Sequence, residues 1–129
     1  PFGWELALEW INSARENVAS AGWATLGGIV GITSDEHLHI DELENLLKIV
    51  EKDIHKSPNR VRQTMNGFVI SVGGYVKALT EKSKSVAKKI GPVYVDMGET
   101  ACKTPDALEY ILKMESKNYI GKKRKTARC

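Results

Sequence analysis

The chain has 129 residues, 42% of them hydrophobic and 27% charged, with two cysteines. This length predicts one domain with its own core. Two cysteines are too few for a disulfide framework. No apolar stretch reaches the roughly 20 residues that a membrane-spanning helix needs. The net charge of +3 hides an asymmetry: residues 1–57 carry ten acidic and four basic side chains, and residues 58–129 carry six acidic and fifteen basic ones. We therefore expect a cytoplasmic protein whose basic half attracts a polyanion, first nucleic acid, then an anionic membrane or an acidic protein.

Hydrophobic side chains recur at helical spacing along nearly the whole chain. Between Ile40 and Ile54, for example, they step by three and four residues, as on a helix with one buried face. The pattern predicts an all-α fold. The helices are predicted at 4–13, 17–31, 39–55, 58–73, 76–90 and 104–117, with breaks at 31–38, Gly73-Gly74 and Gly91-Pro92. The short run Val93-Tyr94-Val95 is the one strand candidate in the sequence.

Two helix starts have a clear local signal. Ser57-Pro58 and Thr104-Pro105 each place a hydroxyl before a proline. A hydroxyl can cap the first free N–H groups of a helix, and proline is tolerated at the first helical position because its missing N–H would be unpaired there anyway. We therefore predict that Ser57 and Thr104 are capping residues.

A repeat becomes visible when the helices are aligned. Gly22-Trp23 and Gly67-Phe68 are 45 residues apart, as are Gly28 and Gly73. This spacing falls in the range of about 40 to 47 residues that is typical of HEAT and armadillo helical pairs. Glycine destabilises a helix interior, so its recurrence favours close approach of two inner helices over a chance match. The small residues expected at that contact are Ala24, Gly28, Gly31, Gly67, Ser71 and Gly74.

The predicted inner helix that starts near Pro58 offers candidate DNA contacts. Arg60, Arg62 and two amide side chains lie in its first turns. A helix N-terminus presents free N–H groups and the positive end of the helix dipole, so a phosphate near residues 57–60 would be stabilised. The alternative is that the two arginines pair with Glu51 or Asp53 of the preceding helix.

The same stretch resembles the C-terminal part of bacterial DNA alkylation repair proteins. The resemblance rests on residues 59–73, Ile90-Gly91, Val95-Asp96-Met97-Gly98, Thr100-Ala101-Cys102-Lys103 and the basic ending 121–126. It implies a right-handed HEAT-like superhelix of antiparallel helix pairs. AlkD-type members of that family are DNA glycosylases that release positively charged alkylated purines without metal or cofactor.

The resemblance also bears on the catalytic residues. In active members a carboxylate stabilises the cationic sugar, and it lies upstream of the part that this chain resembles. The family motif Gly-Trp with a later Arg falls on Gly67-Phe68 and Ser71, so the aromatic ring is kept and the arginine is lost. The second arginine would fall near residues 20–22, where no side chain is basic. The implied protein is a divergent member, and this chain, which opens at Pro1 without a methionine, is expected to be an inactive fragment of it.

Other chemistries have weaker signals. His37 and His39 beside Asp35 and Asp41 have a generic spacing for a divalent ion and lie in a predicted loop. Cys102 beside Lys103 has no histidine that the sequence places near it, so a quiet cysteine is favoured over a nucleophile. We predict no catalytic residue, no metal site and no cofactor.

The sequence therefore predicts a HEAT-like helical domain over 1–117 and a basic C-terminal tail over 118–129, which bind the backbone of double-stranded DNA. The tail could instead be a solvated end that maintains solubility. The candidate DNA-binding residues are Arg60, Arg62, Asn66, Phe68, Lys103, Lys122, Lys123, Arg124 and Lys125. The alternatives are a non-catalytic scaffold that binds nucleic acid or protein through the same concave face, and a protein adaptor without nucleic acid. The sequence does not indicate an oligomeric state or a lesion.

Overall fold

The computed structural model describes residues 2–93 and 106–123, with Phe2 described in its backbone alone. In these ranges the chain is helical. The helices are α1 Phe2–Trp10, α2 Glu16–Ile32, α3 Ile40–Asp53, α4 Asn59–Tyr75, α5 Thr80–Ile90 and α6 Ala107–Ser116, with 3₁₀ turns at Asp35–His37, Ile54–Lys56 and Lys77–Leu79. Among the described residues, no helix combines the length and apolar character that crossing a membrane requires.

The helices form three consecutive pairs arranged in two layers. Within each pair, α1 packs on α2, α3 on α4, and α5 on α6. The even-numbered helices form an inner layer in which α4 contacts both α2 and α6, and α3 and α5 are neighbours in an outer layer. The indole N–H of Trp4 on α1 donates to the carboxylate of Glu42 on α3, so the outer layer also links the first two pairs. This is the stacked arrangement of a helical-repeat protein.

The core lies between the two layers. Each helix contributes apolar residues at three- and four-residue spacing, as the sequence predicts. At the centre, the Trp23 ring of α2 meets the Phe68 ring of α4 edge-on, with centroids 5.2 Å apart and an interplanar angle of 66°. Such a pair contributes about 0.5–1.5 kcal/mol beyond the area it buries. The recurring Gly-Trp and Gly-Phe motifs therefore supply the central contact between the first two pairs.

Close approach of the inner helices depends on their glycines. A Cβ atom added at Gly27 would lie 3.3 Å from Ser71 Oγ, and one at Gly31 would lie 3.4 Å from the Tyr75 ring. The predicted small-residue contact between α2 and α4 is thus present and includes Gly27, whereas Ala24 is exposed. Gly67 is not part of it, because a Cβ there would meet nothing within 4 Å.

The break predicted at Gly73-Gly74 is wrong, because α4 continues to Tyr75. These glycines form the seat for α6 instead of ending the helix. A Cβ at Gly73 would lie 2.5 Å from Ile111 Cδ1, and one at Gly74 would lie 2.6 Å from the Met114 thioether. The predicted break at Gly91 is present, and Gly91 has φ +65°, a conformation that favours glycine.

Both predicted caps differ in detail. Pro58 is the residue before α4, and Ser57 donates its hydroxyl hydrogen to the Asp53 carbonyl at 2.9 Å, so it closes the end of α3 and does not cap α4. The start of α6 is capped by Asp106, whose carboxylate accepts from the Glu109 N–H at 3.1 Å. Thr104 and Pro105 lie outside the described residues.

A C-terminal strap, residues 118–123, crosses the end of the inner layer. It begins with a Schellman turn in which Asn118 has φ 58° and the Tyr119 N–H donates to the Met114 carbonyl at 2.9 Å. Gly121, with φ 82°, then donates its N–H to the Gly74 carbonyl of α4 at 2.8 Å. Lys123 reaches α2, where its ammonium donates to the Val30 carbonyl at 3.2 Å. The strap therefore connects the C-terminal ends of all three inner helices.

The glycine seat gives a direct stability test. Gly73→Ala should destabilise the protein by about 1–2 kcal/mol, because overpacking against Ile111 outweighs the gain in helix propensity. Gly67→Ala is the matched control in the same helix and should stabilise by about 0.5–1 kcal/mol, since its added methyl group meets open space. Urea denaturation of both variants measures the difference. Equal stability of the two variants would contradict the role assigned to Gly73.

Candidate nucleic-acid interface

The exposed side of the inner layer is a continuous surface made by one stripe from each of its helices. The contacts above show which side of each inner helix faces its neighbour: Gly27, Gly31, Gly74 and Met114 lie on those sides. The exposed residues of each helix lie beside them and recur at three- and four-residue spacing, so they form a stripe. We call this the inner surface. Its residues are Asn17, Ala21, Ala24 and Gly28 on α2, Arg60, Gln63 and Gly67 on α4, and Tyr110, Lys113 and Lys117 on α6. The surface is shallow over α2. Its charged side chains are mostly basic, and the exposed Asp106 lies four residues before Tyr110 at the start of α6.

Arg60 lies at the start of this surface, as the sequence predicts, but its surroundings differ from the prediction. The Arg60 N–H donates to the Glu16 carboxylate of α2 at 3.0 Å, and the Ser20 hydroxyl donates to the Arg60 carbonyl at 3.3 Å. Glu16 thus occupies the N-terminus of α4, where a phosphate was expected. The guanidinium of Arg60 remains exposed.

A cleft of about 330 Å³ opens beside this helix start, between the α1–α2 turn and the end of α3. Glu16 and Asp53 contribute carboxylates to its lining, and Trp23 also contacts it. Carboxylates repel a phosphate. Together with the Glu16 cap, they make the backbone N–H groups at the start of α4 a poor anion site.

Three of the predicted contacts on α4 are turned away from the inner surface. Asn66 and Phe68 are each 1% exposed, so their side chains lie in the core and not on the inner surface. Phe68 is needed in the core against Trp23. Arg62 follows Arg60 by two residues, so it lies on nearly the opposite side of the helix. The guanidinium of Arg62 donates to Asn59 Oδ1 at 3.1 Å and is partly buried.

The strap brings Lys122 and Lys123 to the other end of the inner surface. Lys123 is 19% exposed, and its ammonium lies 2.8 Å from Asp35 Oδ1, so its charge is balanced within the fold. Lys122 is exposed, and its ammonium lies 5.5 Å from the Tyr119 ring centroid. Arg60 and the strap are separated by the length of α4, about 22 Å at 1.5 Å per residue. The candidates therefore do not form one cluster.

The remaining candidates, Lys103, Arg124 and Lys125, lie outside the described residues, as does Cys102. His37 lies 3.8 Å from Glu36 in an exposed ion pair, and His39 precedes α3. Within residues 2–93 and 106–123, no group of three His, Cys, Asp or Glu side chains could hold a metal ion.

Sequence reasoning missed four residues at this interface: Lys77, Lys113, Lys117 and Tyr119. Lys77 follows α4 in a 3₁₀ turn, and a Cβ at Gly121 would lie 3.8 Å from the Lys77 Cβ, so the strap passes beside it. Lys113 and Lys117 are on the exposed stripe of α6. The sequence offered one signal for the path of the strap, which is the pair Asn118 and Gly121. Both residue types accept positive φ, so they allow the chain to turn back after α6.

The basic residues of α5 lie in the outer layer. Lys84 is held between Glu81 at 2.7 Å and Glu115 of α6 at 3.0 Å, and hydrogen bonds to Glu81 and then Glu115 raise the pKa of Lys84 above 10.5. Lys89 pairs with Glu51 of α3 at 3.4 Å. The positive charge of the second half is thus divided between the two layers and is not confined to the inner surface.

The arrangement described so far, stacked helical pairs with a basic inner layer, is that of an all-α, HEAT-like repeat domain. Comparison with solved structures supports this class. The fold matches a structure described as belonging to "a new family of proteins related to the HEAT-like repeat DNA glycosylases with affinity for branched DNA structures". The match has a TM-score of 0.88 and 32% sequence identity, and it covers 97% of this chain. The predicted HEAT-like fold is confirmed.

Two curated proteins are also similar in sequence. An uncharacterized protein of Listeria monocytogenes is 38% identical over 111 residues, and one of Listeria innocua is 37% identical over 111 residues. These matches cover 86% of this chain and 46% of each relative, and the structural match covers 53% of its chain. The chain therefore spans about half the length of the proteins it matches. No family model matches the sequence.

The Glu16 cap can be tested by its effect on stability. Glu16→Ala should lower the free energy of unfolding by about 1 kcal/mol, because it removes the acceptor at the start of α4 and an acidic residue from the first turn of α2. Glu9→Ala, an exposed position on α1, is the control and should change stability by less than about 0.5 kcal/mol. Thermal or urea unfolding measures both. An unchanged Glu16→Ala variant would show that the cap contributes nothing.

Proposed function

We propose that this chain is part of a DNA-binding protein related to the HEAT-like repeat DNA glycosylases, and that its inner surface holds the DNA backbone, with branched DNA as the preferred form. The observation that carries the proposal is the structural match at 32% identity, because the matched family is described as having affinity for branched DNA. We include two further points in the proposal. The chain belongs to the matched family of HEAT-like proteins, and it has the DNA alkylation repair role that the sequence resemblance implies.

The charges of the inner surface support backbone binding. Arg60, Lys113 and Lys117 are exposed on it, and Lys77 and Lys122 flank its C-terminal end. In the described part of the chain, the α2 and α4 stripes carry no carboxylate, and Asp106, four residues before Tyr110 on the α6 stripe, is engaged by the Glu109 N–H. Positive side chains spread over about 22 Å of helix could follow about six phosphates at 3.4 Å per strand step.

The same surface favours a binding role over glycosidic cleavage for this chain. Glycosylase chemistry needs a negative group beside the cationic sugar as the base departs. Among the described carboxylates near the surface, Glu16 is engaged by the α4 N-terminus, Asp35 by Lys123 and Asp106 by the Glu109 N–H. We propose that any catalytic carboxylate belongs to a part of the full-length protein outside this chain.

Fluorescence anisotropy with labelled four-way junctions and linear duplexes of equal length tests the proposal. The 129-residue chain should bind the junction more tightly, with an affinity that falls steeply with salt because bound phosphates release counterions. Lys117→Gln should reduce the slope of log K against log[salt] by about 0.9, the value for one phosphate contact.

Lys88→Gln is the matched control, because Lys88 is exposed on α5 in the outer layer. Its salt slope should equal that of the unmodified chain. If neither DNA binds, or if binding is independent of salt, the proposal fails and the protein adaptor becomes the better account.

A base-release assay on alkylated DNA with the full-length parent separates the two remaining candidates. Release of methylated purines would support a glycosylase whose carboxylate lies elsewhere in the parent. Binding without release would support the non-catalytic scaffold.

A further inference from the structure

The strap places an exposed aromatic ring at the edge of the proposed DNA-binding surface. Tyr119 is 51% exposed, although large hydrophobic and aromatic side chains elsewhere in the described chain are mostly buried. Its backbone is fixed on both sides, by the Schellman bond to Met114 and by the Gly121 bond to Gly74. A ring held in this way at the surface loses little conformational entropy when it stacks on a ligand.

Three basic side chains lie on or beside the strap that carries this ring. Lys122 lies over the ring at 5.5 Å, Lys77 borders the strap beside Gly121, and Lys117 precedes it at the end of α6. Within the described residues, none of these three lysines forms an ion pair, whereas the next residue, Lys123, is paired with Asp35. The result is an exposed aromatic ring with one lysine over it and two more beside the strap, and none of the three has an ion-pair partner among the described residues.

An aromatic face next to free ammonium groups suits a nucleotide whose base is available for stacking and whose phosphates flank it. A continuous duplex offers few such faces, because its bases stack on each other. At a branch point the column of stacked bases is interrupted, and unstacking a base there takes less free energy. The chemistry of the strap therefore matches a branch point better than the middle of a duplex.

We infer that Tyr119 stacks on an unstacked base at a DNA branch point, while Lys77, Lys117 and Lys122 bind the adjacent phosphates. This inference rests on the proposed function and assigns its preference for branched DNA to the strap. Arg60, about 22 Å away along α4, then contacts the backbone of a duplex arm.

The test compares Tyr119→Leu, Tyr119→Phe and Lys122→Gln in the 129-residue chain, with a four-way junction and a linear duplex that carry 2-aminopurine at the same sequence position. Tyr119→Leu should weaken junction binding about 10-fold, the expected size for loss of one base stack, and should leave duplex binding within about 2-fold. Tyr119→Phe keeps the ring and should bind as the unmodified chain does.

The 2-aminopurine signal reports stacking directly. Its fluorescence at the branch should be quenched when the unmodified chain or Tyr119→Phe binds, and Tyr119→Leu should lose this quenching. Lys122→Gln should lower the salt slope by about 0.9 without removing the quenching. Because Tyr119 is half exposed, the Leu variant should keep its melting temperature, which circular dichroism verifies.

The outcomes distinguish this inference from the proposed function. If the chain prefers the junction but Tyr119→Leu binds it equally well, or quenches equally, the stacking role is wrong and the DNA-binding proposal stands. If Tyr119→Leu weakens duplex and junction binding alike, the ring is a general contact and the assigned branch preference is wrong. If the unmodified chain binds neither DNA, both proposals fail.

Discussion

The close approach of the inner helices is the constraint on which the structure depends. Gly27 and Gly31 let α2 lie against α4, and Gly73 and Gly74 let α6 lie against the other side of α4. Any side chain at Gly73 would separate α4 from α6, since its Cβ would be 2.5 Å from Ile111. On the exposed side of this layer the α2 stripe carries only short side chains, so the surface is shallow enough there for an extended backbone to lie on it.

Helix content and pairing could be predicted because the apolar periodicity is strong and local. The repeat of glycine and aromatic residues pointed to the contact of α2 with α4 in which Trp23 meets Phe68, whereas the family resemblance put Phe68 among the candidate DNA-binding residues. A single sequence does not show which side of a helix is buried when small residues occupy several sides. Gly73-Gly74 was interpreted as a break for the same reason: local propensity favours a break, but the tertiary contact with α6 stabilises a continuous helix.

The candidate site was harder to predict than the fold, because it depends on orientation and on partners distant in sequence. Arg60 and Arg62 are adjacent in the motif, yet helical geometry separates them. Glu16 reaches the start of α4 from 44 residues away, and the sequence holds no signal for that cap. Counting charges gave the right sign for the surface, but it could not show that Lys123 is balanced by Asp35 or that the α5 lysines lie in the outer layer.

The strap also affects how the domain folds. Contacts in a helical repeat are mostly between neighbours, so such proteins can form from any point and lose their ends independently. Here Lys123 bonds to Val30, 93 residues earlier in the chain. Closing so large a loop has an entropic penalty, and it raises the contact order of an otherwise local topology. The strap therefore secures α2 to the end of the inner layer, and the three pairs gain a cooperativity that stacking alone would not give them.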